Sequence, residues 1–228
     1  MGLGRFLLTA RGAGGGGHRH GLFRGGTIDH PRTYEVISTL AFAGKRGGSF
    51  ARLAALSGAR PGDRVLDVGC GTGCLTRAMA ARIAPDGRVT GLDLSPAMIA
   101  YAGARGPASC SYVLGAAQDL AFDDGSFDVV VSSYAVHHVP AEARRAAFAQ
   151  MRRVLRPGGR LMVADFRPPR GGLGRRLADA LAGPAIAGDG TPGTDIDALA
   201  GMVAGAGFTI EAEGRLRPVT RYIRAVRP

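Results

Sequence analysis

Apolar positions along the chain follow two periods in turn. From Tyr34 they recur at helical spacing, at Val36, Ile37, Leu40 and Ala41 and again at Phe50, Leu53, Ala54 and Leu56, which predicts two helices ahead of the first strand. Short β-branched runs then alternate with helical stretches. The runs predict strands over 64–68, 88–94, 111–115, 127–133 and 159–166, with two more near 208–215 and 221–226. Between the first pair, Leu75, Ala78, Met79 and Ile83 form one apolar face; between the fourth and fifth, Ala147, Phe148, Met151 and Leu155 do so. Arg144, Arg145, Arg152 and Arg153 fall largely off that second face and are expected on a solvated surface. Val129, Val130 and Val131 run without polar alternation, as a central strand covered on both sides requires. The pattern implies an α/β fold: a seven-stranded, mostly parallel sheet with helices on both faces and right-handed crossovers.

The breaks between these elements set the domain organisation. Pro157-Gly158-Gly159 ends a helix before the fifth strand, since proline cannot extend the helix and glycine accepts positive φ. Residues 168–194 are loop-like, rich in proline and glycine, and follow the carboxyl end of a strand, where α/β sheets place ligands; they are a candidate lid or a plain connection. A helix is expected over 195–204. At the other end, residues 1–32 form a basic, glycine-rich stretch with no apolar period, too poor in apolar surface to offset chain entropy, and are expected to stay disordered. His18 and His20 within it are read as solvated rather than as metal ligands. Residues 33–228 make one domain of ordinary size.

Charge changes the picture only slightly. The chain has 29 basic residues against 18 acids, a net charge of +11, and all but one of the bases is arginine. The excess lies in residues 1–32 and 136–228, while 33–135 are balanced. A positive surface suits nucleic acid, anionic lipid or an acidic substrate. The preference for arginine, together with 37 glycines, reads instead as a compositional bias of the whole chain, so nucleic acid is not the expected partner. No apolar run approaches the ~20 residues that cross a bilayer. Phe6-Leu7-Leu8 is too short for a secretory leader, so the expected location is cytoplasmic. Cys70, Cys74 and Cys110 include no C-x-x-C pair, which points to reduced thiols and to no metal site.

The chemistry is concentrated in Val65-Leu66-Asp67-Val68-Gly69-Cys70-Gly71-Thr72-Gly73, a strand entering a glycine loop and then a helix. Such glycines let the backbone turn tightly and meet a ligand closely, and the helix start offers free N–H groups. A dinucleotide fingerprint needs a third glycine where Cys74 stands, and a P-loop needs Gly-Lys-Ser/Thr, which is absent. The pattern is G-x-G-x-G, with Asp67 two residues before it and Asp93 closing the second strand. A carboxylate at that strand end can accept both ribose hydroxyls. Two acids and no base along the loop disfavour a pyrophosphate and suit a cationic nucleoside. S-adenosylmethionine, with its sulfonium and ammonium, matches.

In these residues the sequence resembles the class I S-adenosylmethionine-dependent methyltransferases, within them the small-molecule branch that includes ubiquinone/menaquinone methyltransferases. The resemblance spans residues 33–228 and is carried by Arg60-Pro61-Gly62-Asp63-Arg64 running into the glycine loop, and by Gly91-Leu92-Asp93-Leu94-Ser95-Pro96-Ala97-Met98. Asp123-Asp124-Gly125-Ser126-Phe127-Asp128 and Arg156-Pro157-Gly158-Gly159-Arg160 resemble the family's approaches to the fourth and fifth strands. The resemblance implies a Rossmann-like sheet in which Asp67, Gly69, Cys70, Gly71 and Gly73 surround the methionine part of the cofactor. It implies that Asp93 holds the ribose, that Leu94 and Met98 pack on adenine, that Tyr34 closes over the cofactor, and that Ser133 stands near the methyl donor. One position departs from the family: Ala116 replaces the acid that accepts from the adenine amino group. The Ala117 N–H, with Gln118 or Asp119, is left to read the base, at a cost of about 0.5–1.5 kcal/mol for one lost hydrogen bond.

Ser132, Ser133, Tyr134, His137 and His138 lie at or just after the end of the fourth strand, beside the expected methyl donor. His137 or His138 is a candidate general base, because histidine titrates near neutrality; the alternative for each is a residue that shapes the pocket. An acceptor that is already ionised needs little beyond proximity and alignment. Phe42, Tyr134 and Phe166 are candidate walls for a small, apolar or aromatic acceptor methylated at O, N or C. Two other functions compete. A nucleic-acid methyltransferase suits the charge, but the segment after the fourth strand lacks an Asn/Asp-Pro-Pro-Tyr/Phe signature and no catalytic-cysteine motif is visible. A non-methylating S-adenosylmethionine-binding protein is the other, kept open by Ala116. Nothing in the sequence sets an oligomeric state.

Overall fold

The computed structural model describes residues 30–41, 46–166, 196–216 and 220–228. Two helices come first, α1 (Pro31–Ala41) and α2 (Arg46–Leu56). Alternation follows: β1 (Arg64–Val68), α3 (Cys74–Ile83), β2 (Arg88–Asp93), α4 (Pro96–Gly103), β3 (Cys110–Leu114) and β4 (Phe127–Ser133). A short 3-10 turn at Val136–His138 leads to α5 (Ala141–Val154), β5 (Leu155–Phe166), α6 (Ile196–Gly205), β6 (Thr209–Leu216) and β7 (Thr220–Val226). α1 starts inside the stretch expected as tail, because Pro31 has the φ of a first helical turn and no N–H to leave unpaired. The candidate lid at 168–194 and residues 1–29 lie outside the described residues.

The seven strands form one sheet in the order β3-β2-β1-β4-β5-β7-β6. β1 to β5 pair in parallel, whereas β7 is antiparallel to both β5 and β6, so the fold is α/β and Rossmann-like with one reversed strand. Strand order reverses at β1 and β4, which leaves a crevice at their carboxyl ends. Most strand bounds agree with the period-two reading to within a residue or two. β5 is the exception: it begins directly after α5, and Pro157-Gly158-Gly159 sits inside it as an irregularity, with pairing jumping from Phe127↔Leu155 to Val129↔Arg160. The proline stops the helix as expected, but the two glycines shape a bulge rather than a separate loop.

Strand alternation builds two cores. Leu66, Val68, Val130, Leu161 and Val163 face a layer with Phe148 and Met151 of α5 and Leu199 and Val203 of α6. Val65, Val129, Val131, Met162 and Ala164 face Leu53 of α2 and Leu75, Met79 and Ile83 of α3. Of the four arginines of α5, Arg145 is exposed as expected, and the other three correct the surface expectation. Arg144 is buried and donates to the Val139 and His137 carbonyls, Arg152 donates to the Gly207 carbonyl, and Arg153 reaches the Leu120 and Phe122 carbonyls and Asp124. Long arginine arms bury their stems and carry donors back to loop carbonyls that no ladder satisfies. No helix among the described residues is long and apolar enough to cross a membrane.

Candidate functional site

The glycine loop is held in place by β2 rather than by its own side chains. Gly69 and Cys70 both donate to the Leu92 carbonyl, at 2.7 and 2.9 Å, and Gly71 donates to Asp93 Oδ2 at 2.8 Å. Gly69, Gly71 and Gly73 have φ of 74°, 51° and 77°, a left-handed series that side chains resist. At Gly69 there is a second reason: a Cβ there would lie well under 3.0 Å from the Cβ of Ala135, in the turn after β4. The ends of β1 and β4 therefore approach as closely as backbone allows, and the crevice opens between them.

Asp93 closes β2 with both oxygens engaged by backbone, Oδ2 by Gly71 N–H and Oδ1 by Ser95 N–H at 2.9 Å. Burial pushes its pKa up even so. Ser95 caps α4 by accepting from the Met98 N–H, which seats Met98 under the crevice. Asp67 lies elsewhere. It is fully buried behind the loop, its Oδ2 accepts from the Thr76 hydroxyl at 2.7 Å, and its Oδ1 has no hydrogen-bond partner among the described residues. Burial, reinforced by the charge of Asp93, raises its pKa to about 7.

A cation also borders the crevice. Arg46 is only 7% exposed; its Nη1 donates to Glu35 Oε1 at 2.8 Å and its Nη2 to Thr72 Oγ1 at 3.3 Å. Its guanidinium lies 5.5 Å from the ring centroids of both Tyr34 and Phe50, and its Nε is buried without a hydrogen-bond partner among the described residues. Arg77 donates to the Thr72 carbonyl at 2.9 Å. The expectation of a loop with acids and no base is thus corrected: bases distant in sequence reach it from helices.

At the end of β4, Ser132 donates to the Val68 carbonyl at 2.8 Å. Tyr134, with φ 53°, is a non-glycine residue in the left-handed region, where strain costs about 1–2 kcal/mol. Its hydroxyl lies 2.6 Å from Thr220 Oγ1 and its ring meets Phe50 edge-on. His137 Nδ1 is 2.7 Å from Asp165 Oδ1, and the ring of His138 lies 4.0 Å from that of His137.

Together these elements enclose a cavity of about 300 Å³. That is at the small end of the roughly 300–1,000 Å³ typical of small-ligand sites. Of the residues expected from sequence, Tyr34, Gly69, Cys70, Gly71 and Asp93 stand on its wall. Leu94, 54% exposed, Met98, Ala117, Gln118, Ser133 and His138 stand there too. Asp67, Gly73 and His137 do not line it: Asp67 faces α3, Gly73 caps that helix, and His137 turns to β5. Asp119 is spent in a tight turn, donating its N–H to the Ala116 carbonyl at 3.1 Å. Phe42 lies outside the described residues, as does the side chain of Phe166. Sequence reasoning missed Arg46, Phe50, Thr72 and Cys74 on the wall. Thr72 and Cys74 were readable as loop neighbours; Arg46 carried only the signal of a base opening an apolar helix.

The fold and crevice define a Rossmann-like α/β domain with both an acid, Asp93, and an arginine, Arg46, on the wall of its cavity. Residues 65–159 match a family model described as a methyltransferase domain. A demethylmenaquinone methyltransferase of Symbiobacterium thermophilum is 37% identical over 141 residues, 60% of this chain and 55% of that protein. A ubiquinone/menaquinone biosynthesis C-methyltransferase of Ectopseudomonas mendocina is 39% identical over 129 residues, covering 54% and 50%. The chain spans about half the length of these curated relatives. The crystal structure of an S-adenosylmethionine-dependent methyltransferase from Aquifex aeolicus superposes with a TM-score of 0.69 at 16% identity, covering 87% of this chain and 99% of that one, which shows the shared fold. The resemblance to class I S-adenosylmethionine-dependent methyltransferases, quinone methyltransferases among them, is therefore shown.

Proposed function

We propose that this chain transfers the methyl group of S-adenosylmethionine to a small apolar or aromatic acceptor. The observation that carries the reading is the presence on one cavity wall of opposite charges, Asp93 at the end of β2 bonded to Gly71 and Arg46 from α2 bonded to Thr72, together with the left-handed glycine loop. These residues fit the cofactor part by part. Asp93 keeps lone pairs beyond its two backbone bonds, which suits ribose hydroxyls. The Nε of Arg46, with no hydrogen-bond partner among the described residues, suits the methionine carboxylate. Leu94 and Met98 offer apolar surface for adenine, with the Ala117 backbone and Gln118 at its edge. When bound, the cofactor supplies a methyl group activated on a sulfonium.

The chain's own residues then position and exclude. Tyr34 and Phe50 flank the Arg46 guanidinium and cover the loop side of the cavity. Ser133 and Tyr134 form its wall at the carboxyl end of β4. Asp67 acts one layer back, through Thr76, on the helix that follows the loop. The names of the relatives, demethylmenaquinone methyltransferase and ubiquinone/menaquinone biosynthesis C-methyltransferase, favour a quinol-like acceptor here as well. Three free thiols fit a reducing compartment such as the cytoplasm.

Calorimetry with S-adenosylhomocysteine and with NADH, on wild type and Asp93→Ala, tests the cofactor. Binding of the homocysteine nucleoside that Asp93→Ala weakens at least 10-fold is expected; tight NADH binding with no response to the nucleoside would overturn the reading. Turnover of a labelled methyl donor against hydroquinols, phenols and lipids then identifies the acceptor.

A further inference from the structure

Resting on that reading of the cofactor site, we propose that Glu35 is a resident counter-ion of Arg46 that competes with the cofactor carboxylate, and so limits how tightly the amino-acid end of S-adenosylmethionine and of its spent form is held. Glu35 stands on α1, and its Oε1 accepts from Arg46 Nη1 of α2 at 2.8 Å. The same oxygen accepts from Cys74 Sγ, at the start of α3, at 3.6 Å. Burial by itself would raise the Glu35 carboxyl, but bonds from the Thr72 hydroxyl and from Arg46 hold it below its ordinary value, so it is ionised at neutral pH. Arg46, Thr72 and Cys74 stand on the cavity wall and Glu35 does not. It therefore acts through Arg46, as a positioning residue.

The guanidinium of Arg46 is divided between two duties. Nη1 goes to Glu35 and Nη2 to Thr72 Oγ1 at 3.3 Å, which leaves Nε buried without a hydrogen-bond partner among the described residues. Arg77 is turned to the loop instead, donating Nη1 to the Thr72 carbonyl at 2.9 Å and Nη2 to Cys74 Sγ at 3.4 Å. A cation only 7% exposed needs an anion close by, because a buried charge left alone is strongly destabilising. Without cofactor, Glu35 is that anion. When a ligand carboxylate reaches Nε, two anions share one cation and repel each other across it. The coupling is reciprocal: what Glu35 takes from ligand affinity, the ligand takes from the Glu35–Arg46 pair. Donor and spent nucleoside carry the same carboxylate, away from the methyl that moves. Holding it more tightly would add uniform binding, which does not speed the chemical step.

The test uses the full chain and two ligands, S-adenosylhomocysteine and 5′-methylthioadenosine, which keeps the nucleoside and the thioether but has no carboxylate. Glu35→Gln removes the charge and keeps the shape. In calorimetry it should bind S-adenosylhomocysteine about 5-fold tighter than wild type or better, with methylthioadenosine changed less than about 2-fold. Its melting temperature without ligand should fall by about 2–4 °C. Saturating S-adenosylhomocysteine should close most of that gap to wild type, and methylthioadenosine should leave it open. Glu35→Asp, with the charge kept on a shorter arm, should move the same readings in the same direction by less, and it carries the test if Glu35→Gln fails to fold. Affinity for S-adenosylhomocysteine that stays the same or weakens, or a gain shared equally by methylthioadenosine, overturns the competition. Arg46→Met separates the two layers. If it leaves the preference for S-adenosylhomocysteine over methylthioadenosine intact, the placing of the cofactor carboxylate on Arg46 fails; a lost preference there, with no gain in the Glu35 variants, overturns the role of Glu35 alone.

Discussion

Substituting Gly69 by alanine tests whether the ends of β1 and β4 are held together sterically. Two costs add at that position. The left-handed φ of 74° costs a side-chain-bearing residue about 1–2 kcal/mol. The new Cβ would lie well under 3.0 Å from Ala135 Cβ, where carbon atoms normally meet at about 3.5–4.0 Å, so the site is overpacked by about 1–3 kcal/mol. Gly69→Ala is therefore expected to lose roughly 2–5 kcal/mol, a large share of the ~5–15 kcal/mol that holds a domain together. Only the second cost depends on Ala135. Ala135→Gly, at φ −121° and ψ −33°, loses about 0.5–1 kcal/mol by itself through chain entropy. In the double variant the steric part should vanish, leaving a favourable coupling of about 1–3 kcal/mol. Urea unfolding of the four proteins measures the cycle, and titration with S-adenosylhomocysteine shows whether loop geometry recovers with stability. Additivity within about 0.5 kcal/mol would refute the close approach as the reason for a glycine here.

Three further outcomes are expected. Asp67 has its folded pKa raised to about 7, so its contribution to stability is present in full below the unfolded value near 4 and is lost as pH rises through 7; Asp67→Asn should remove that slope, and its stability relative to wild type in thermal melts should climb between pH 4 and 8. Arg46→Met should weaken S-adenosylhomocysteine binding roughly 10- to 100-fold, as loss of a charge-assisted bond worth about 1.5–3 kcal/mol requires, with Arg46→Lys intermediate because the fork is lost but the charge kept. Thr220→Val should cost about 0.5–1.5 kcal/mol in denaturant unfolding by removing the hydrogen bond between the Thr220 and Tyr134 hydroxyls, and a double-mutant cycle with Tyr134→Phe should show that the two residues couple.

The parts of the site legible in the sequence are those whose partners are close along the chain or fixed by sheet register. The loop from Gly69 to Gly73 and the acid at Asp93 are of this kind, since β1 and β2 pair residue for residue and bring the loop to the end of the next strand. Asp67 was misplaced although its position was readable: alternation puts it on the same face as Val65, towards α3, and not into the crevice. Arg144 likewise belongs to the helical face of Ala147, Phe148 and Met151, three, four and seven residues before them, and is buried with them. Arg46 with Thr72, and His137 with Asp165, were illegible for another reason. Each pair is joined only by the way whole layers dock, 26 and 28 residues apart, and no local period encodes that.

The reversed strand β7 has a consequence for the order in which the molecule is finished. It slots between β5 and β6, and Thr220 at its start reaches the ring that walls the crevice, 86 positions upstream. A nascent chain that has emerged only as far as Leu216 already owns both halves of its glycine cradle and every strand from β1 to β6, yet β5 and β6 have nothing between them. Folding intermediates lacking β7 would expose two unpaired edges at once, and Tyr134 on the crevice wall would lack its Thr220 contact.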